Sequence, residues 1–144
     1  MEWKEYKKEA LKYRMEYSDV YEYISVLLLG IAEEISEYRS SVYKMQSIED
    51  QVSEYGDLLW NVAELENTLS EIGVKNDVVN NNVYDVSLSC VQTVRKHYFR
   101  ERDNDKIALH ASSILVTCMF FFVNSAISRE AMDRNCEKMK ARHG

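Results

Sequence analysis

A chain of 144 residues has the length of one domain, 1–144, and buries roughly 68–70% of its unfolded surface, so it needs neither a disulfide nor a structural metal as a staple. The absence of proline and the presence of only four glycines disfavour turn-rich sheet proteins and favour long helices. A net charge of -6 speaks against nucleic acid as a partner, because phosphate backbones attract basic surfaces, but leaves room for nucleotides held through divalent cations.

The opening, MEWKEYKKEALKY, is too polar for a signal peptide and starts a tyrosine-rich amphipathic helix over 2–16. Ser18 is placed to cap a long helix over 19–44, in which Val20, Tyr23, Leu27, Ile31 and Ile35 recur at threes and fours. Ser47 followed by Asp50 resembles a capping box and starts a helix near Ile48 that runs to about Ile72, where Gly73 ends it. KNDVVNNN, 75–82, reads as a turn-rich link, followed by a helix over 83–101 and a break at RERDNDK. The segment 107–127 carries no Asp, Glu, Lys or Arg and approaches the length of a bilayer span. Its most apolar centre, ILVTCMFFFV, is shorter and reads as a buried core helix, so no membrane is expected. Ser128 caps a last helix over 129–142. The predicted architecture is an all-α bundle of about six helices.

Three cysteines without CxxC spacing read as free thiols of a reducing compartment, the cytoplasm. A faint internal repeat can also be read, against the plain alternative that paired helices look alike by periodicity alone. Aligning LLWNV at 58–62 with ILVTC at 114–118 gives an offset of 56 residues and makes the second half a degenerate copy of the first helix pair. Two helix hairpins then lie in one chain.

Two acid pairs stand out: Glu34 with Glu37 in GIAEEISEY, and Glu54 with Asp57 in EDQVSEYGDLLWNV. Residues i and i+3 share a helix face, and two helices joined by a short link near 45–47 can turn such faces together. Four carboxylates at one spot repel, and burying them unpaired costs several kcal/mol or forces protonation. A divalent cation resolves the conflict, and an oxygen-only ligand set suits Mg²⁺, with Mn²⁺ as a substitute. Gly56, inside the second pair, would let two helix backbones approach. The alternative is a solvated acidic face, common in a chain with 24 acids. In the repeat alignment the four acids fall opposite Cys90, Thr93, His110 and Ser113.

EEISE followed by EYGD resembles the EExxE…ExxD signature of the MazG-like, all-α nucleoside triphosphate pyrophosphohydrolase superfamily. YKKEALKY is similar to that family's opening helix. GIAEEISE resembles its GLAEEAGE, with Ser36 in place of glycine, and EYGDLLWNVAEL resembles ELGDVLWYLAEL. ISREAMDRNCEKMKARHG is similar to the closing Asn-x-x-Lys-(Leu/Met)-x-x-Arg segment. The likeness covers 4–64 and 127–144; residues 75–126 match no motif. The resemblance implies hydrolysis of an NTP or dNTP to the monophosphate and pyrophosphate, in nucleotide-pool housecleaning. It makes Glu34, Glu37, Glu54 and Asp57 the magnesium ligands and Glu33 a candidate general base, against the plain reading of Glu33 as a surface glutamate.

Anionic phosphates also need donors. Asn135, Lys138 and Arg142 share a face of the last helix and fit the closing motif, while a favourable charge at a helix C-terminus is the bland reading. Lys44 and Arg39 are further candidates. Lys96, Arg100 and Arg102 either face a site, if the repeat holds, or are a solvated helix end. Asn61, one turn after Asp57, is placed to donate to phosphate or sugar. Trp60 reads as core, His110 as a hydrogen-bonded core histidine, and neither His97 nor His110 has a partner at ligand spacing.

The rival reading is a catalytically silent helical module that binds a nucleotide or protein. A di-iron bundle is disfavoured, since no His stands three residues after a Glu. Because a helix pair cannot bury its apolar face alone, a homodimer or higher homo-oligomer is expected unless the second hairpin serves as the partner. Phe120, Phe121 and Phe122 cover more than one face and suggest a helix buried on most sides.

Overall fold

The computed structural model describes residues 1–74 and 83–143. Every regular element among them is helical: α1 (Trp3–Lys12), α2 (Val20–Tyr43), α3 (Ile48–Glu71), α4 (Val86–Thr93), α5 (Asn104–Cys118) and α6 (Ser128–His143). Two of them continue into π-helical turns, α4 through Val94–Arg100 and α5 through Met119–Val123. The expected link at 75–82 lies outside the described residues.

α2 and α3 are the longest helices and pack most closely on one another. Gly30 approaches Asn61, and Glu34 approaches both Glu54 and Asp57, so the two run antiparallel. Their turn is tight. Gln46 N–H donates to the Ser41 carbonyl at 3.0 Å and Met45 N–H to that of Val42 at 3.0 Å, with Met45 at φ 53°. Ser47 then caps α3 by accepting from Asp50 N–H at 3.1 Å, as the sequence indicates. α3 closes in a Schellman motif at Gly73, whose φ of 80° only glycine adopts freely. α4 and α5 form the second hairpin and pack on α2, while α1 and α6 pack on α3. The core runs through all six helices, with Ile24, Leu28, Ile31, Leu58, Leu59 and Leu115 fully enclosed.

Several boundaries differ from those expected. α1 stops at Lys12 rather than near 16, because Arg14 leaves the helix to reach a carboxylate on α3. Asp19, not Ser18, caps α2, accepting from Tyr21 N–H at 2.9 Å. Asp103 caps α5, so charged residues that read as loop form its first turn. Ser128 is the first residue of α6 rather than its cap, and its hydroxyl donates to the Ser125 carbonyl. Phe120 and Phe121 are 71% and 61% exposed; the π-helical turn points them outward while Phe122 packs on Tyr55. The helix Asn104–Val123 is long and apolar enough to cross a membrane, with a mean hydropathy of 1.8. Of that window 44% is buried inside the fold, and the core helix of a soluble protein passes the same test.

Candidate metal and phosphate site

The antiparallel pairing of α2 and α3 brings the two acid pairs together. One oxygen each from Glu34, Glu54 and Asp57 lies within 4.8 Å of the others, and the same holds for Glu33, Glu34 and Glu37. Glu34 belongs to both groups and is the hinge of the cluster. Glu33 and Glu37 are exposed, whereas Glu34, Glu54 and Asp57 are half-buried.

The electrostatic cost shows in the acids themselves. Burial, then the charges of Asp57, Glu37, Glu54 and Glu33, push the Glu34 carboxyl from its usual 4.5 up to about 8. Burial also raises Glu54, with a hydrogen bond and charge from Glu37 and the charge of Asp57 adding to it and Lys138 opposing. A hydrogen bond between two carboxyl groups requires a shared proton. Oε2 of Glu34 and Oε2 of Glu54 are buried and have no hydrogen-bond partner. Unpaired buried oxygens of this kind are costly, and with a half-buried, oxygen-only donor set they fit a hard divalent cation such as Mg²⁺.

Asp57 is treated differently. Lys138 Nζ donates to both of its carboxylate oxygens at 2.9 Å and to Ser53 Oγ at 3.2 Å. Asn135 Nδ2 donates to Asp57 Oδ1 at 3.3 Å, and Asn135 Oδ1 accepts from the Tyr6 hydroxyl at 2.6 Å. Gly56 makes this approach of α6 possible: a Cβ there would stand 2.9 Å from the Ala131 carbonyl oxygen and 3.0 Å from Asn135 Cβ. The expected packing reason for Gly56 is therefore present, but the partner is α6. Gly30 is the glycine at the α2–α3 contact, against Asn61.

A cleft of about 300 Å³ opens beside the acids, bordered by Glu34 and Asp57 and lined by Trp60, Asn61, Asn135 and Arg142, with Tyr13, Met15, Met139 and His143 completing it. Its size is at the small end of ligand pockets. Asn61 Nδ2 donates to the Asp57 carbonyl at 3.0 Å. Trp60 packs against the core, as the sequence suggested, but is not enclosed by it. It is half-buried on the cleft, and its indole N–H is a buried donor without a partner. Lys44 does not join the site. It is the exposed C-terminal cap of α2, two turns or about 10 Å of helix beyond Glu37. Arg39 is likewise outside the cleft. Tyr6, Tyr13 and Ser53 went unmarked by sequence reading, because nothing in their spacing shows that α1 and α6 close over α3.

His110 also departs from expectation. It is exposed and stacks on the buried His97, ring centroids 4.5 Å apart, so two histidines with no sequence relation meet. Cys90, Cys118 and Cys136 are free, as the sequence indicates, and all three are buried.

Comparison of the chain with family models, curated proteins and solved structures returns no match.

Proposed function

We propose that the protein is a Mg²⁺-dependent nucleoside triphosphate pyrophosphohydrolase. One observation carries the reading: Glu34, Glu54 and Asp57 converge within 4.8 Å, two of their oxygens are buried and unpaired, and a ligand-sized cleft opens beside them. The motif likeness of EEISE and EYGD adds the substrate class.

Glu34, Glu37, Glu54 and Asp57 would hold the metal. When bound, magnesium neutralises phosphate charge and lowers the pKa of water. Arg142, which lines the cleft, and Lys138, one turn before it on α6, give positive charge to the phosphate chain, while Asn61 donates to sugar or base. Met15, Met139, Tyr13 and Trp60 supply the apolar walls that a base requires. Glu33 accepts the proton of the attacking water, being exposed and adjacent to the ligand oxygens. The water oxygen bonds to the α- or β-phosphorus, the bond from that phosphorus to the oxygen bridging the two breaks, and the bridging oxygen leaves with the electron pair, giving monophosphate and pyrophosphate.

A second reading has one observation of its own. Lys138 already satisfies both oxygens of Asp57, which is what a catalytically silent nucleotide- or protein-binding module would retain. Pyrophosphate release from standard and modified (d)NTPs with Mg²⁺ separates the two, measured for wild type beside Glu54→Gln, with helicity checked by circular dichroism. Turnover lost in a folded variant supports the hydrolase. Absence of turnover together with absence of Mg²⁺ binding by calorimetry returns the chain to the silent module.

A further inference from the structure

The second hairpin carries a larger cleft, about 440 Å³, whose lining inverts the chemistry of the first. Thr93, Arg95, Lys96, His97, Arg100 and His110 surround it, with no carboxylate among the lining residues. In the alignment at offset 56, Thr93 and His110 stand where Glu37 and Glu54 stand in the first hairpin. A facing acid pair is thus replaced by a hydroxyl and an imidazole on one cavity.

The charges are unspent. Among the described residues, Arg95, Lys96 and Arg100 have no carboxylate within ion-pair distance, whereas Arg14 and Lys138 are each paired with one. Three unpaired cations around one concavity, in a chain of net charge -6, reverse the local field. The backbone is specialised at the same place, for the π-helical turn Val94–Arg100 presents Lys96, His97 and Arg100 to the cleft, and such turns recur at functional sites. Glu101, outside the lining, accepts at 2.7 Å from His97 Nδ1 and at 3.2 Å from Lys106, fixing the buried imidazole that stacks on His110.

We propose that this cleft binds the phosphate groups of a small phosphorylated ligand, either inorganic pyrophosphate or the phosphates of a nucleotide. Two guanidinium forks, an ammonium and the Thr93 and Ser89 hydroxyls match a multi-oxygen anion better than a lone carboxylate. The concavity suits a small molecule rather than a nucleic-acid backbone. His110 is held below its usual pKa by partial desolvation and then by His97, Lys96 and Lys106, against the pull of Glu101, so an anion bound beside it raises that value. The inference does not rest on the hydrolase reading.

The test uses the full chain in chelator, where the acidic site, without metal, repels anions. Inorganic pyrophosphate and, separately, AMP are titrated by calorimetry and by the ring resonances of His97 and His110. Saturable binding of either, with a Kd of about 1 mM or tighter, and an upward shift of the His110 titration are expected. Pyrophosphate binding alone assigns the site to the phosphoanhydride, and tighter AMP binding assigns it to a nucleotide. The double variant Lys96→Gln/Arg100→Gln, at exposed positions, weakens binding about tenfold or more. Lys4→Gln/Lys8→Gln removes the same charge elsewhere on the exposed surface and leaves it intact. Equal loss in both double variants, or histidine rings that do not respond in wild type, overturns the proposal. Should the first double variant fail to fold, the wild-type ring shifts decide alone.

Discussion

Tyr6 and Asn135, 129 residues apart, are joined by a hydrogen bond of 2.6 Å from the Tyr6 hydroxyl to Asn135 Oδ1. Both are buried, and burial, followed by the charges of Cys136 and Asp57, keeps the tyrosine protonated and donating. The bond fixes the amide so that its Nδ2 faces Asp57. Helices α1 and α6 therefore clamp α3 and orient one acid of the site from behind.

Tyr6→Phe is expected to cost about 1–2 kcal/mol, because it leaves the Asn135 oxygen buried and unpaired. It also loosens the hold on Asp57, so, on the proposed hydrolase reading, turnover falls by more than the stability change accounts for. Denaturant midpoints read the first effect and kcat at saturating Mg²⁺ reads the second. An unchanged kcat in a destabilised variant would leave Tyr6 a purely structural residue.

The two helix-interior glycines should respond differently to alanine. At Gly56 the new methyl meets the backbone carbonyl of Ala131. Overpacking of about 1–3 kcal/mol outweighs the ~1 kcal/mol gain in helix propensity, so Gly56→Ala is destabilised and α6 is displaced. At Gly30 the obstacle is the amide of Asn61, whose Oδ1 lies 2.5 Å from where the new methyl would stand, and that side chain can turn away. Gly30→Ala therefore stays within about 1 kcal/mol of wild type. Equal losses at both sites, measured by urea unfolding, contradict this ordering.

Arg14 and Glu64 form the most buried ion pair among the described residues. Glu64 is fully enclosed, accepting from Arg14 Nε at 2.6 Å, from the Tyr23 hydroxyl at 2.7 Å and from Asn67 at 3.1 Å. Burial opposes the Arg14 charge, but the hydrogen bonds of Glu64 and Glu71 prevail and raise its pKa. Arg14→Met is expected to cost about 3–5 kcal/mol by leaving a carboxylate uncompensated, and Arg14→Met/Glu64→Leu to recover part of that loss. A double variant less stable than the single would refute the uncompensated charge as the cause.

Glu34 makes stability depend on pH. Its folded-state value of about 8 lies above the ordinary carboxyl value, so between those limits the folded chain holds a proton that the unfolded chain releases. Stability of the metal-free protein then falls as pH rises from about 4.5 to 8. If the acids hold Mg²⁺ as proposed, saturating metal binds the ionised form, flattens or reverses that slope and displaces protons. Thermal melts at pH 5 and pH 8, with and without Mg²⁺, show it. A metal-free Tm that rises over this window would refute the assignment.

The sequence by itself determined the helices and the pairing of the acids. Periodicity in α2 and α3, the Ser47 cap, the Gly73 terminus and the i, i+3 spacing of Glu34/Glu37 and Glu54/Asp57 are local features, set within one or two turns of the chain. A four-residue turn between two long helices then leaves little choice but an antiparallel hairpin that faces the acids together. Only the tertiary structure decided which groups meet across distant elements. That Lys138 neutralises Asp57, that Tyr6 orients Asn135, that Trp60 lines a cleft, that Lys44 stands away and that His97 stacks on His110 all depend on how α1, α6 and the second hairpin dock. Docking is set by side-chain packing over many residues, with glycines at the close approaches and π-helical turns shifting which side chains face inward. No short spacing in the chain records that sum.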